Sequence, residues 1–182
     1  MTAEGQSREE IRNAFRPAHL KLLFIGESPP ASGRFFYHRD SGLYRAMREA
    51  FRIADPSTSD EDFLAVFRST GCYLVDLCQE PVDRLDSRSR RAACRAGEAG
   101  LSNAIARLQP AAMATLLRSI EDNAASAASA AQWRGPILHL PYPGRWSRHR
   151  KVFTDSLVPT IASLLRERPA HLASFHKASL SP

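Results

Sequence analysis

The residues able to do chemistry fall at the ends of apolar runs. Glu27 follows Leu20 to Ile25 directly, within Gly26-Glu27-Ser28-Pro29-Pro30. Asp76 lies inside a second apolar run, Cys72-Tyr-Leu-Val-Asp-Leu-Cys78. Phe35, Phe36 and Tyr37 form an aromatic cluster a few residues beyond Glu27. Pro141-Tyr142-Pro143-Gly144 follows a third apolar stretch and leads into Arg145-Trp146-Ser147-Arg148-His149-Arg150-Lys151, which holds no acid. A carboxylate can stabilise developing positive charge or activate water. Aromatic rings stack on flat groups, and a basic segment grips phosphate. The combination suits a flat, uncharged group attached to a polyanion.

These segments need a scaffold that brings strand ends together. Leu20 to Ile25 is near-continuously apolar, as strands buried on both faces are. Cys72 to Cys78 reads the same way, Ala111 to Leu117 is a weaker third strand, and Ile137 to Leu140 a short fourth. Between them lie helical patterns. Ser7-Arg-Glu-Glu10 is a capping box opening a helix to about Arg16. Leu43, Tyr44, Met47, Ala50, Phe51 and Ala54 repeat at helical spacing. Further helices are predicted over Asp60 to Ser69, Ser87 to Leu108, Ser119 to Ala131 and Ser147 to Arg166, the last kinked at Pro159. Alternating strands and helices predict an α/β protein with three α/β/α layers around a four-stranded, mainly parallel sheet. In such sheets ligands bind beyond the carboxyl ends of the strands, where Glu27, Asp76 and the basic segment would all lie.

The 182 residues suit one domain, expected over 1–168, with 169–182 as a flexible tail. There are 25 Lys+Arg against 19 Asp+Glu, a net charge of +6. Four of the basic residues lie in the one acid-free stretch from Arg145 to Lys151, so the surplus is local and points to a polyanionic partner. Arg88, Arg90, Arg91 and Arg95 read instead as a solvated helix face. Three cysteines exclude a disulfide framework and fit a reducing, cytoplasmic setting. Their spacing fits no zinc site, and buried thiols are expected. No apolar run is long enough to span a membrane, and Met1 to Arg16 reads as neither signal nor transit peptide.

The order of these segments resembles the uracil-DNA glycosylase superfamily, over roughly Lys21 to Ile161. Gly26-Glu27-Ser28-Pro29 is similar to its first motif. Phe35-Phe36-Tyr37-His38 through Leu43-Tyr44 looks like its base-stacking segment. Tyr73-Leu74-Val75-Asp76 is similar to its base-reading strand, and Leu140-Pro141-Tyr142-Pro143 to its loop that enters the minor groove.

The resemblance implies a monofunctional DNA glycosylase-like hydrolase that flips a damaged or modified base and cuts its N-glycosidic bond. Glu27 and Ser28 would be catalytic, Glu27 through its charge and Ser28 by holding water. Phe35, Phe36, Tyr37 and Asp76 would bind the base, with Phe36 near the rim as the expected stacking ring. Pro141, Tyr142, Pro143, Gly144, Arg145, Trp146, Arg148 and Lys151 would hold duplex or single-stranded DNA. No metal or other cofactor is expected: some members carry an iron–sulfur cluster on four cysteines, and this chain has three. A monomer that does not bind membranes is expected.

Two positions depart from the family pattern. Asp76 stands where an Asn is usual. Ionised, it only accepts hydrogen bonds, which disfavours uracil and favours an exocyclic amine. Alternatively it is protonated, or paired with an arginine such as Arg34 or Arg39. Leu140 stands where many members carry histidine, and neighbouring His139 reads as structural because one residue along a strand reverses the face. A carboxylate at Glu27 could also merely cap its loop, and Trp146 could pack beneath a solvated basic helix. The competing readings are a catalytically silent nucleic-acid-binding protein on the same fold and a small-molecule enzyme acting on free nucleosides or nucleotides.

Overall fold

A computed structural model describes residues 7–58, 63–144 and 146–167. The expected tail at 169–182 and the expected helix start at Asp60 lie outside them. The described elements run α1 (Arg8–Ala14), β1 (Leu22–Gly26), α2 (Gly42–Ala54), α3 (Phe63–Ser69), β2 (Cys72–Asp76), α4 (Ser87–Leu108), β3 (Ala112–Thr115), α5 (Glu121–Ala130), β4 (Ile137–His139) and α6 (Ser147–Arg166). Single 3₁₀ turns cover Phe36–His38 and Arg118–Ile120.

The four strands form one sheet in the order β2-β1-β3-β4, and every pairing is parallel. β1 and β2 are buried at every position, which explains their unbroken apolar character. β4, at the edge, is only partly covered. From β1 the chain steps one way to β2, then crosses back to β3 and β4. Right-handed crossovers therefore put α2 and α3 on one face and α4 and α5 on the other. Accordingly α4 packs on α5, and α2 packs on α6. The result is a three-layer α/β/α fold around an all-parallel sheet.

Local chemistry sets the element boundaries. Ser7 Oγ accepts from the Glu10 N–H at 3.2 Å while Ser7 N donates to Glu10 Oε2 at 2.6 Å, closing the expected capping box on α1. Asp86 caps α4 by accepting from the N–H groups of Arg88 and Ser89. β2 ends at Asp76, two residues before the expected Cys78, yet Leu77 N and Cys78 N still donate to Gly26 O and Glu27 O. The ladder thus carries the β2 tip alongside Glu27. α6 runs through Pro159 to Arg166. No helix among the described residues is long and apolar enough to cross a membrane.

The change of direction after β1 leaves a crevice between the carboxyl ends of β1 and β3, the place where open α/β sheets bind ligands. A cleft of about 1050 Å³ lies there, bordered by Gly26, Glu27, Leu116 and Leu117.

Candidate functional site

The β1–β2 register sets Gly26 directly beside Asp76. A Cβ on Gly26 would lie 2.7 Å from Asp76 Oδ1, so only glycine lets the carboxylate rest against β1. Asp76 is buried and borders the cleft. Its Oδ2 accepts from Arg12 Nη2 at 3.0 Å. The partner is thus Arg12 of α1, not Arg34 or Arg39. Arg34 is exposed at the cleft mouth, and exposed Arg39 takes a left-handed turn (φ 66°). The Arg12 guanidinium also lies over the Phe35 ring, 5.7 Å from its centroid. Burial pushes the Asp76 carboxyl up to about 6, with Arg12 opposing the shift.

Glu27 is also buried and borders the cleft. Rather than capping its loop, its carboxylate accepts a two-pronged grip from Arg90, with Nε on Oε1 at 2.8 Å and Nη2 on Oε2. Arg90 therefore leaves the solvated face expected for it and enters the site. α4 reaches the sheet because Gly97 has no side chain: a Cβ there would lie 2.3 Å from Leu77 O. One turn beyond Arg90, Cys94 Sγ lies 3.8 Å from Glu27 Oε1 and 3.8 Å from Cys78 Sγ. All three cysteines are free and buried. Burial pushes the Cys78 thiol up to about 12, which makes it a poor nucleophile at neutral pH. Among the described residues no group of three His, Cys, Asp or Glu is placed to hold a metal ion.

Ser28 Oγ accepts from the Val82 N–H at 3.2 Å, and Ala31 N donates to Asp83 Oδ1 at 3.1 Å. These bonds tie the loop carrying Glu27 to the loop after β2.

The aromatic cluster folds inward. Phe35, Phe36 and Tyr37 are 2%, 4% and 3% exposed, which places Phe36 away from the expected rim position. Phe36 packs among Tyr37, Tyr44, Phe63 and Phe67, with ring centroids 5.0–6.3 Å apart. Tyr37 is a core residue whose hydroxyl donates to Leu74 O at 3.1 Å and accepts from Leu74 N at 2.8 Å. Phe35 and Phe36 still border the cleft, forming its apolar floor.

Beyond β4, Leu140 is buried and its N–H bonds to Thr115 O. His139 Nδ1 lies 2.9 Å from Thr115 Oγ1 and 3.7 Å from Glu121 Oε1. Tyr142 and Gly144 border the cleft, Pro143 is buried and Pro141 half-buried. Trp146 is 65% exposed and so does not pack under the helix. Arg148 is exposed, while Lys151 is paired with Asp155 at 2.8 Å. Arg145 lies outside the described residues.

Sequence reasoning missed Arg12, Arg90 and the arginines of α2 that border the cleft. Arg12 carries a faint signal: it stands three residues before Phe15, on the apolar side of a short helix. Arg90 carries none. No family model matches the chain, and no characterised protein matches it significantly.

Proposed function

We propose that the cleft receives an extruded nucleobase and that the protein is an N-glycosyl hydrolase of the uracil-DNA glycosylase type, acting on a damaged or modified base in DNA. The observation that carries this reading is the meeting of two buried carboxylates, Glu27 and Asp76, at neighbouring strand ends on one cleft floored by Phe35 and Phe36. The bond from the sugar C1′ to the base nitrogen breaks, and the departing base keeps the electron pair. Water then adds to the sugar cation at C1′, and the proton it gives up neutralises the departed base by way of solvent. Glu27 supplies the negative charge facing that cation, and Ser28, which borders the cleft, holds the water in this reading. Asp76, held by Arg12, accepts from N–H groups on the base edge, which suits an exocyclic amine.

One observation favours the second reading, a nucleic-acid-binding protein without turnover. Arg90 grips both carboxylate oxygens of Glu27 and offsets the charge the reaction needs. Duplexes carrying uracil, hypoxanthine, xanthine or alkylated bases, treated with protein and then alkali, separate the two. Excision predicts strand breaks at one lesion or more that vanish in Glu27→Gln. Salt-dependent DNA binding with every lesion left intact establishes the silent reading instead.

A further inference from the structure

The two buried carboxylates of the cleft are held in unlike ways. Arg90 takes both oxygens of Glu27. Arg12 takes one oxygen of Asp76, through Nη2 alone. Its Nε is buried and has no hydrogen-bond partner among the described residues. A buried donor left unpaired carries a desolvation penalty, so a fork on both oxygens would serve stability better. The single prong leaves Asp76 Oδ1 open, and no hydrogen bond among the described residues reaches that atom. Oδ1 rests against Gly26, where a Cβ would come within 2.7 Å, and Gly26 and Asp76 both border the cleft.

The place of Arg12 is fixed from three sides. Its guanidinium lies over the Phe35 ring. Next along α1, Asn13 Oδ1 accepts from the Tyr73 hydroxyl at 3.3 Å, and Arg16 O accepts from Arg68 Nε at 3.2 Å. Charge then decides what Oδ1 can read. As an anion it only accepts, so it selects an N–H on a ligand edge and repels a carbonyl oxygen; protonated, it donates and the selection reverses. The charged and titratable groups facing Asp76 are Arg8 and Arg12 from α1, Tyr37 from the turn after β1 and Cys78 beyond β2. Burial keeps the Tyr37 hydroxyl and the Cys78 thiol protonated at neutral pH, and Glu27 is committed to Arg90. Burial favours the acid form of Asp76, and Arg12 is the main contact favouring the anion.

We propose that Arg12 is a positioning residue that sets base specificity: by holding Asp76 Oδ2 it keeps the carboxylate ionised with Oδ1 open to the cleft, which admits an amine-bearing base edge and rejects a carbonyl at the same place. This rests on the reading of the cleft as a site for an extruded base, though not on turnover.

The probes are labelled duplexes of one sequence in which a single adenine or hypoxanthine faces an abasic site. The two bases present an amine and a carbonyl at the same ring position. Fluorine on the 2′ carbon of that nucleotide destabilises the sugar cation and keeps the base attached, so binding is read apart from cleavage. Anisotropy is followed with the full chain between about pH 5 and pH 8, a range in which Asp76 titrates. At the upper end the adenine duplex should bind at least about tenfold more tightly. That preference should fade with a midpoint at about 6. Arg12→Gln should move the midpoint up by about 1–3 pH units. Arg12→Lys keeps the charge, suits a one-pronged contact and should restore the midpoint. Asp76→Asn should remove the pH dependence. Each variant is checked by circular dichroism, with sucrose added to stabilise any that partly unfolds.

A merely structural Arg12 would weaken both duplexes alike and leave the midpoint in place, which overturns the proposal. A pH-dependent preference that survives Asp76→Asn also overturns it. Equal binding of the two duplexes by the wild-type chain removes the proposal alone. Failure of both to bind removes the nucleic-acid reading and the proposal together. Cleavage of lesion duplexes without fluorine is scored separately, and its absence leaves an observed amine preference standing.

Discussion

Arg12 Nη2 meets Asp76 Oδ2 at 3.0 Å across 64 residues of chain, joining the first helix to the tip of β2 beneath the cleft. Both side chains are buried, 10% and 8% exposed. Attraction between them is set against the cost of taking two charges out of water, and removing one partner exposes that cost. Arg12→Met should destabilise the protein by about 3 kcal/mol at pH 8, where a bare carboxylate would be stranded. At pH 5 the loss should shrink, because the carboxyl can take up a proton. Urea unfolding at the two pH values checks this; an equal loss at both would remove Asp76 as the cause.

The wild-type pair has its own pH signature. Asp76 titrates at about 6 in the folded chain, above its usual value of 3.8. The folded state therefore holds the proton more tightly than the unfolded state. The penalty for burying the charge is present in full above pH 6 and is relieved as pH falls from about 6 towards 4. Relative to Asp76→Asn, which does not titrate there, wild-type stability should rise across that window by on the order of 3 kcal/mol. A flat or falling difference contradicts this. In the proposed function, recognition of an amine-bearing base should weaken over the same window as Asp76 loses its charge.

Glu27 and Arg90 should be strongly coupled. Arg90→Met leaves a buried carboxylate without its two-pronged donor and should cost about 1–3 kcal/mol. Glu27→Gln/Arg90→Met should recover part of that loss. A double-mutant cycle read by thermal unfolding should give a coupling of at least about 1 kcal/mol, whereas additive losses would show that the grip contributes little.

Two glycines in α4 offer a matched contrast. Gly97→Ala would drive a methyl into Leu77 O and push α4, with Arg90 and Cys94, off the sheet, at a cost of about 1–3 kcal/mol. Gly100 has open space around the same position. Gly100→Ala should stabilise by about 0.5–1 kcal/mol through better helix propensity. Paired melting curves decide, and a shift of the same sign in both would contradict the close approach.

Much of the scaffold was legible because its signals are local. Apolar runs marked the four strands, and the bounds Ser87–Leu108 and Ser147–Arg166 for α4 and α6 agree with the structure. Glu27 and Asp76 were legible as neighbours because parallel strands put their ends on one edge. Their partners were not. That Asp76 needed a cation follows from an acid in an apolar strand, but the choice of Arg12 depends on where α1 packs. Arg90 looked like any arginine on a charged helix until Gly97 let that helix close on β2. Phe36 was misplaced because the turn Phe36–His38, ended by Arg39 at φ 66°, rolls the cluster into the core.

β1 sits at the centre of the sheet, yet both its neighbours are made later in the chain. The pairs that furnish the cleft, Arg12 with Asp76 and Glu27 with Arg90, close loops of 64 and 63 residues. Contacts that distant form only after a large entropic cost has been met, and chains dominated by them fold slowly. During synthesis β1 must wait, apolar and unpaired, until β2 and then β3 emerge. The pairs that furnish the cleft consequently cannot close until the chain has extended past Arg90, and their appearance in a refolding experiment would mark the docking of α1 and α4 on the β1–β2 pair.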